Sequence, residues 1–90
     1  MQLNVERGAP ATGKTIRLIQ TARASGQDEH QIITGNAYKP ADLELLVRHR
    51  ISRGAKVICI DECSEQHIEC LQRLGGRLPD ELTIHAVVSY

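Results

Sequence analysis

The sequence predicts an α/β fold: a four-stranded parallel sheet with helices on both faces, in three layers. Three observations lead there. Strand-like and helical patterns alternate in the order β-α-β-α-β-α-β, which calls for right-handed crossovers and helices on the sheet faces. Two runs, Val57–Ile60 and Thr83–Val88, are almost continuously apolar, as strands covered on both sides are. A glycine-rich turn joins the first strand pattern directly to the first helical pattern.

Ninety residues, 41% hydrophobic and 24% charged, suit one folded domain spanning residues 1–90. The only aromatic residues are Tyr38 and Tyr90, so the core must be aliphatic. A platform that stacks bases on aromatic rings is disfavoured. The formal net charge is zero, but it is unevenly spread. Residues 1–56 carry nine Lys/Arg against five Asp/Glu, a net +4, and residues 57–90 carry two against six, a net −4. That argues against a wholesale basic nucleic-acid binder. Cys59, Cys63 and Cys70 show no zinc-type spacing, which points to free thiols in a reduced, cytoplasmic setting. No apolar signal region opens the chain and no apolar run is long enough to span a membrane, so no membrane partner is expected.

Residues 2–7 alternate polar and apolar, as a strand with one buried face does. A helix is predicted from about Lys14 to Ala24, with Ile16, Leu18, Ile19 and Ala22 as its apolar stripe and Ser25-Gly26 as its stop. Residues 31–34 form a short second strand closed by Gly35-Asn36. Pro40 suits the first turn of a second helix, where its missing N–H costs nothing. Leu43, Leu46, Val47 and Ile51 share one face of that helix, and Gly54 stops it. Arg48, His49, Arg50 and Arg53 cluster toward its C-terminal end. There they complement the helix dipole, or offer a phosphate, nucleic-acid or inter-subunit contact. Ser64 caps a third helix carrying Ile68, Leu71 and Leu74, which Gly75-Gly76 ends. His85 on the last strand reads as a core or helix-facing histidine.

Gly8-Ala9-Pro10-Ala11-Thr12-Gly13-Lys14-Thr15 matches a phosphate-binding loop at every fixed position. At average residue usage such a match arises by chance in about 0.3% of chains this length. Gly8 permits a tight turn out of a strand, and Gly13 lets the backbone press against phosphate. Amides from Gly8 to Ile16 can cradle anionic oxygens. Lys14 supplies a charge for the β- and γ-phosphates, and the Thr15 hydroxyl suits Mg²⁺. Asp61 ends the buried third strand, where its similarity to the Asp of P-loop enzymes implies a hold on Mg²⁺, often through water, opposite that hydroxyl. Glu62 follows it and points differently, as a candidate base for an attacking water. The plainer alternatives are a solvated acidic pair, or Glu62 as a cap for the third helix.

Gly8–Thr15 together with Val57–Glu62 resembles the P-loop NTPase superfamily. The adjacent Asp-Glu is similar to its additional-strand, catalytic-glutamate branch, which includes AAA+ ATPases, RecA-like motors and helicases. That resemblance implies a minimal core in which the last strand inserts between the first and third, giving the order 1-4-3-2. It also implies a polar residue sensing the γ-phosphate at the end of the last strand, where Ser89 stands. Larger members add a fifth strand and a lid. No arginine finger is assignable; Arg48, Arg50, Arg53, Arg73 and Arg77 are candidates, acting within the chain or between subunits. No guanine-reading motif is present, and Tyr38 is a candidate for packing locally or against a base.

The expected function is ATP-Mg²⁺ binding with weak or partner-dependent hydrolysis, Lys14 and Glu62 acting in catalysis and Thr15 and Asp61 at the metal. One alternative is a small regulatory protein that docks on a larger machine, or on copies of itself, and uses nucleotide as a structural ligand or switch. Another is a small kinase.

Overall fold

The computed structural model describes residues 1–8 and 13–89. Among these, four strands form one fully parallel sheet: β1 (Gln2–Gly8), β2 (Ile33–Thr34), β3 (Val57–Cys63) and β4 (Thr83–Ser89). Three helices connect them: α1 (Lys14–Ala24), α2 (Pro40–Ser52) and α3 (Glu65–Leu74). The spatial order is β1-β4-β3-β2, the order expected. The alternating β1 and the two-residue β2 lie at the edges, and the apolar β3 and β4 lie at the centre.

Burial alternates along the central strands and divides the core in two. Ile58, Ile60, Ile84, Ala86 and Val88 pack with Leu43 and Val47 of α2 and Ile68, Leu71 and Leu74 of α3. On the opposite face Cys59 and Val87 pack with Leu18 and Ala22 of α1. Cys59 behaves as the small hydrophobe that its setting predicts.

Three local expectations need correction. Ile16 is not part of the apolar stripe of α1: it is 63% exposed. It sits in the first turn, beyond the sheet surface that covers Leu18 and Ala22. The second strand is shorter than residues 31–34, because Glu29–Gln31 form a 3₁₀ turn under a capping box from Asp28. Glu62 does not cap α3; Ser64 does, with His67 rather than an acidic residue completing the box.

The central strands do not pair evenly to their ends. Ile60 faces Ala86, but the next matched pair is Cys63 with Val88. Asp61 and Glu62 therefore oppose Val87 alone, which is a β-bulge. The extra residue returns Cys63 to the same core as Ile60, and it sits where two carboxylates leave the sheet.

Truncating a core residue should cost far more than truncating the misplaced one. Leu71→Ala, at a fully buried position, is expected to lose about 2–5 kcal/mol in a denaturant melt. Ile16→Ala should stay within about 0.5 kcal/mol of the parent.

Candidate functional site

Crossover geometry brings the site together at the carboxyl ends of the strands. Gly8 ends β1, Ser89 ends β4, Asp61 and Glu62 lie at the end of β3, and Thr34 ends β2. Gly8 pairs with Ser89, and Thr34 pairs with Asp61. Helix α1 starts at the same edge and packs across β3 and β4.

Gly13 is the N-cap of α1, with φ 78° and ψ 13°, and makes no side-chain cap bond. A left-handed backbone there suits glycine, since a Cβ would be strained. The Arg17 amide bonds the Gly13 carbonyl at 3.1 Å. The amides of Lys14, Thr15 and Ile16, in the first turn, have no acceptor within the helix. No acidic residue occupies that turn, so the positive end of the helix dipole is uncompensated by carboxylates of its own helix. Lys14 is 2% exposed. The positions expected at Ala9, Pro10, Ala11 and Thr12 lie outside the described residues.

The Thr15 hydroxyl donates to Asp61 Oδ2 at 2.9 Å, across 46 residues of sequence. Asp61 Oδ1 accepts the Glu62 amide at 2.8 Å. One carboxylate oxygen is thus fixed by the bulge and the other is directed at α1. Hard oxygen donors of this kind suit Mg²⁺. Their 2.9 Å separation also matches two neighbouring corners of an octahedron with metal–oxygen bonds of about 2.1 Å. The donor set therefore fits Mg²⁺, with water and phosphate oxygens completing it.

Glu62 has φ 53°, the one non-glycine residue with positive φ among the described residues. Its side chain is exposed. A left-handed backbone at a residue with a side chain costs about 1–3 kcal/mol, and such strain gathers at functional sites. A cavity of about 250 Å³ opens beside Thr15 and Asp61, lined further by Thr34, Glu29, His30, Ile19 and Ile32. A smaller cavity of about 140 Å³ lies against α1 and β1, among Asn4, Glu6, Arg17, Thr21 and His85. Neither Thr15 nor Asp61 lines it.

Several expected residues are not gathered at this edge. Arg50 and Arg53 at the end of α2, and Arg73 and Arg77 at and after the end of α3, lie toward the opposite end of the sheet. In parallel α/β units helix C-termini face the strand N-termini. Arg50 bonds the Gln31 carbonyl and Arg73 pairs with Glu69. Arg48 sits one turn before the end of α2, exposed. His85 is half-buried on the α1 side, within 3.4 Å of Asn4, and burial holds its pKa below the usual imidazole value. No group of three or more His, Cys, Asp or Glu able to hold a metal occurs among the described residues.

Sequence reasoning missed two ion pairs and two supports. Arg7, just before Gly8, grips Glu65 at the start of α3 through both carboxylate oxygens, its Nε 2.9 Å from Oε2. Arg17 pairs with Glu6 and holds that carboxyl below its ordinary pKa. Gly35 packs against the bulge, and His67 joins Ser64 to the Tyr38 carbonyl. A glycine at a strand end and a histidine three residues after a capping serine were the available signals.

Comparison with protein-family models, curated proteins and solved structures finds no match to this chain. No helix among the described residues is long and apolar enough to cross a membrane.

Cys63, next to the carboxylates, is buried, and its thiol is pushed up to about 12 from 9.0 by desolvation and then by the Asp61 charge. Its folded pKa exceeds its unfolded one, so its contribution to stability is complete below pH 9.0 and is lost as pH rises toward about 12. Urea midpoints measured above pH 9 should fall with pH, and less steeply in Cys63→Ala.

Proposed function

We propose that this chain binds a nucleoside triphosphate with Mg²⁺, ATP being the reading preferred, and that its hydrolysis is slow or depends on a partner. The observation that carries the proposal is the hydrogen bond between Thr15 and Asp61. Two residues far apart in sequence, each expected at the metal on chemical grounds, meet at one point. The reading extends to a P-loop NTPase core of the catalytic-glutamate type.

Each residue has a definite task. The Gly13 turn and the first amides of α1 bind phosphate oxygens as hydrogen-bond donors. Lys14 balances their negative charge. Thr15 and Asp61 hold Mg²⁺, which when bound neutralises charge developing on the β- and γ-phosphates. Glu62, exposed at the turn of the bulge, accepts a proton from the attacking water. Ser89, in register with Gly8, is the polar group at the end of β4 facing the same edge.

Slow turnover follows from what is missing beside these groups. A transition-state arginine contributes about 10³–10⁵ in rate where one operates. The five arginines considered lie toward the far end of the sheet or on exposed helix surface, so in this reading a partner or second copy supplies the charge. A second reading, a small kinase, draws on the cavity beside Thr15 and Asp61, which has room for a small hydroxyl-bearing acceptor. Equal yields of ADP and free phosphate would favour hydrolysis over transfer.

Calorimetric titration tests the proposal. Wild type should bind ATP-Mg²⁺, and Lys14→Ala should bind it at least about tenfold more weakly, through loss of a charge-assisted contact. Unchanged tight binding in that variant would overturn the reading. Glu62→Gln should keep the affinity and lose most of the slow hydrolysis.

A further inference from the structure

Gly35 lies against the bulge of β3, and His67 bonds Ser64, the residue that follows that strand. A Cβ on Gly35 would lie 3.1 Å from Cys63 Sγ and 3.2 Å from the carbonyl oxygens of Asp61 and Glu62. Glycine alone lets the end of β2 press on the bulge this closely. Residues Gly35–Ala37 then form a 3₁₀ turn, closed by the Tyr38 amide on the Gly35 carbonyl at 3.0 Å.

His67 grips the far end of that turn. It is 5% exposed, and both ring nitrogens are engaged. Nε2 lies 2.7 Å from the Tyr38 carbonyl, while Nδ1 receives the Ser64 amide at 3.0 Å. A carbonyl only accepts, so Nε2 carries the hydrogen; Nδ1 must then accept, as the Ser64 amide requires. His67 ties the segment after β2 to the residue that follows Cys63.

We infer that Gly35 and His67 are positioning residues for the metal pair, holding the β3 bulge at residues 61–62 so that the Asp61 carboxylate faces Thr15. The inference rests on the proposed Mg²⁺-nucleotide reading. Its chain of contacts is short. The grip from both ends keeps Glu62 at φ 53°. The Asp61 carbonyl, against which Gly35 lies, and the Glu62 amide share one peptide plane, held so that the amide reaches Asp61 Oδ1 at 2.8 Å and Oδ2 is left for Thr15 at 2.9 Å. A turn of the Asp61–Glu62 peptide plane would carry that amide away and free the carboxylate to rotate.

A purely structural role predicts something else. Ser64 and His67 form a capping box for α3, and loss of a cap lowers stability without touching metal binding. The distinguishing quantity is the gain in ATP affinity that Mg²⁺ confers, measured by titrating the full chain with ATP in excess Mg²⁺ and again in EDTA.

In His67→Ala and Gly35→Ala that gain should shrink by about tenfold, the low end of the loss on removing groups that orient a metal ligand, with affinity in EDTA unchanged. Ser64→Ala removes the capping hydroxyl, which lies 2.7 Å from His67 Nδ1, but keeps the amide bond to that nitrogen and the Nε2 bond to Tyr38, so it should lower the melting temperature and leave the gain largely intact. Should His67→Ala fail to fold, Gly35→Ala decides. A folded variant that keeps the full gain overturns the inference and leaves the nucleotide reading standing. A wild type that binds no ATP in either condition overturns that reading itself, and a wild type that binds ATP with no gain from Mg²⁺ overturns the inference together with the metal part of the reading, leaving nucleotide binding standing.

Discussion

The contact on which the site depends is the packing of α1 across β3 and β4. Leu18 and Ala22 bury against Cys59 and Val87, and that small apolar patch fixes where the helix begins. Its first turn then arrives over the end of β3, so that the Thr15 hydroxyl meets Asp61. The strand order makes this unavoidable. With β4 between β1 and β3, a right-handed crossover from β1 to the far edge must carry α1 over the two central strands. A core contact thus sets the geometry of two polar groups that make none of that core.

Much of this was legible in the residues because it rests on period and on breakers. Continuous apolar runs marked β3 and β4 as central, and alternation marked β1 as an edge. Gly13 and Pro40 announced the starts of α1 and α2. Ile16 was misread because a helical stripe is counted by angle alone, while burial also depends on where the sheet stops. The bulge left no trace in the pattern, since Cys63 fits an apolar run whether or not a residue has been inserted before it. Gly35 resembled any glycine after a strand; what makes it particular is the approach of Cys63, Asp61 and Glu62, which only the folded chain reveals. His67 was hidden because a capping box usually carries Glu or Gln at that position.

Electrostatics at this edge separate two tasks. In the proposed reading, holding an anion draws on amides, a buried lysine and a metal pair; Gly13, Lys14, Thr15 and Asp61 lie at one edge of the sheet. Accelerating hydrolysis needs positive charge on the transition state as well. Of the nearer arginines, Arg7 pairs with Glu65 and Arg17 with Glu6. Both pairs are exposed and contribute little stability, but they tether β1 to α3 and α1 to β1 on either side of the loop.

The backbone at Glu62 is the strongest reason to place function at this point. A strand that merely ended here could do so extended, with Asp61 solvated and any small residue at position 35. Instead an inserted residue, a left-handed glutamate and a position that admits only glycine without displacement coincide. The inserted residue returns Cys63 to the core, but the left-handed glutamate and the glycine add no packing of their own. What they achieve jointly is a carboxylate with one oxygen held by the backbone and the other aimed at a hydroxyl. That result is useful to a bound cation and of no evident use to the fold, which is why the proposed metal role fits the local strain better than a structural one.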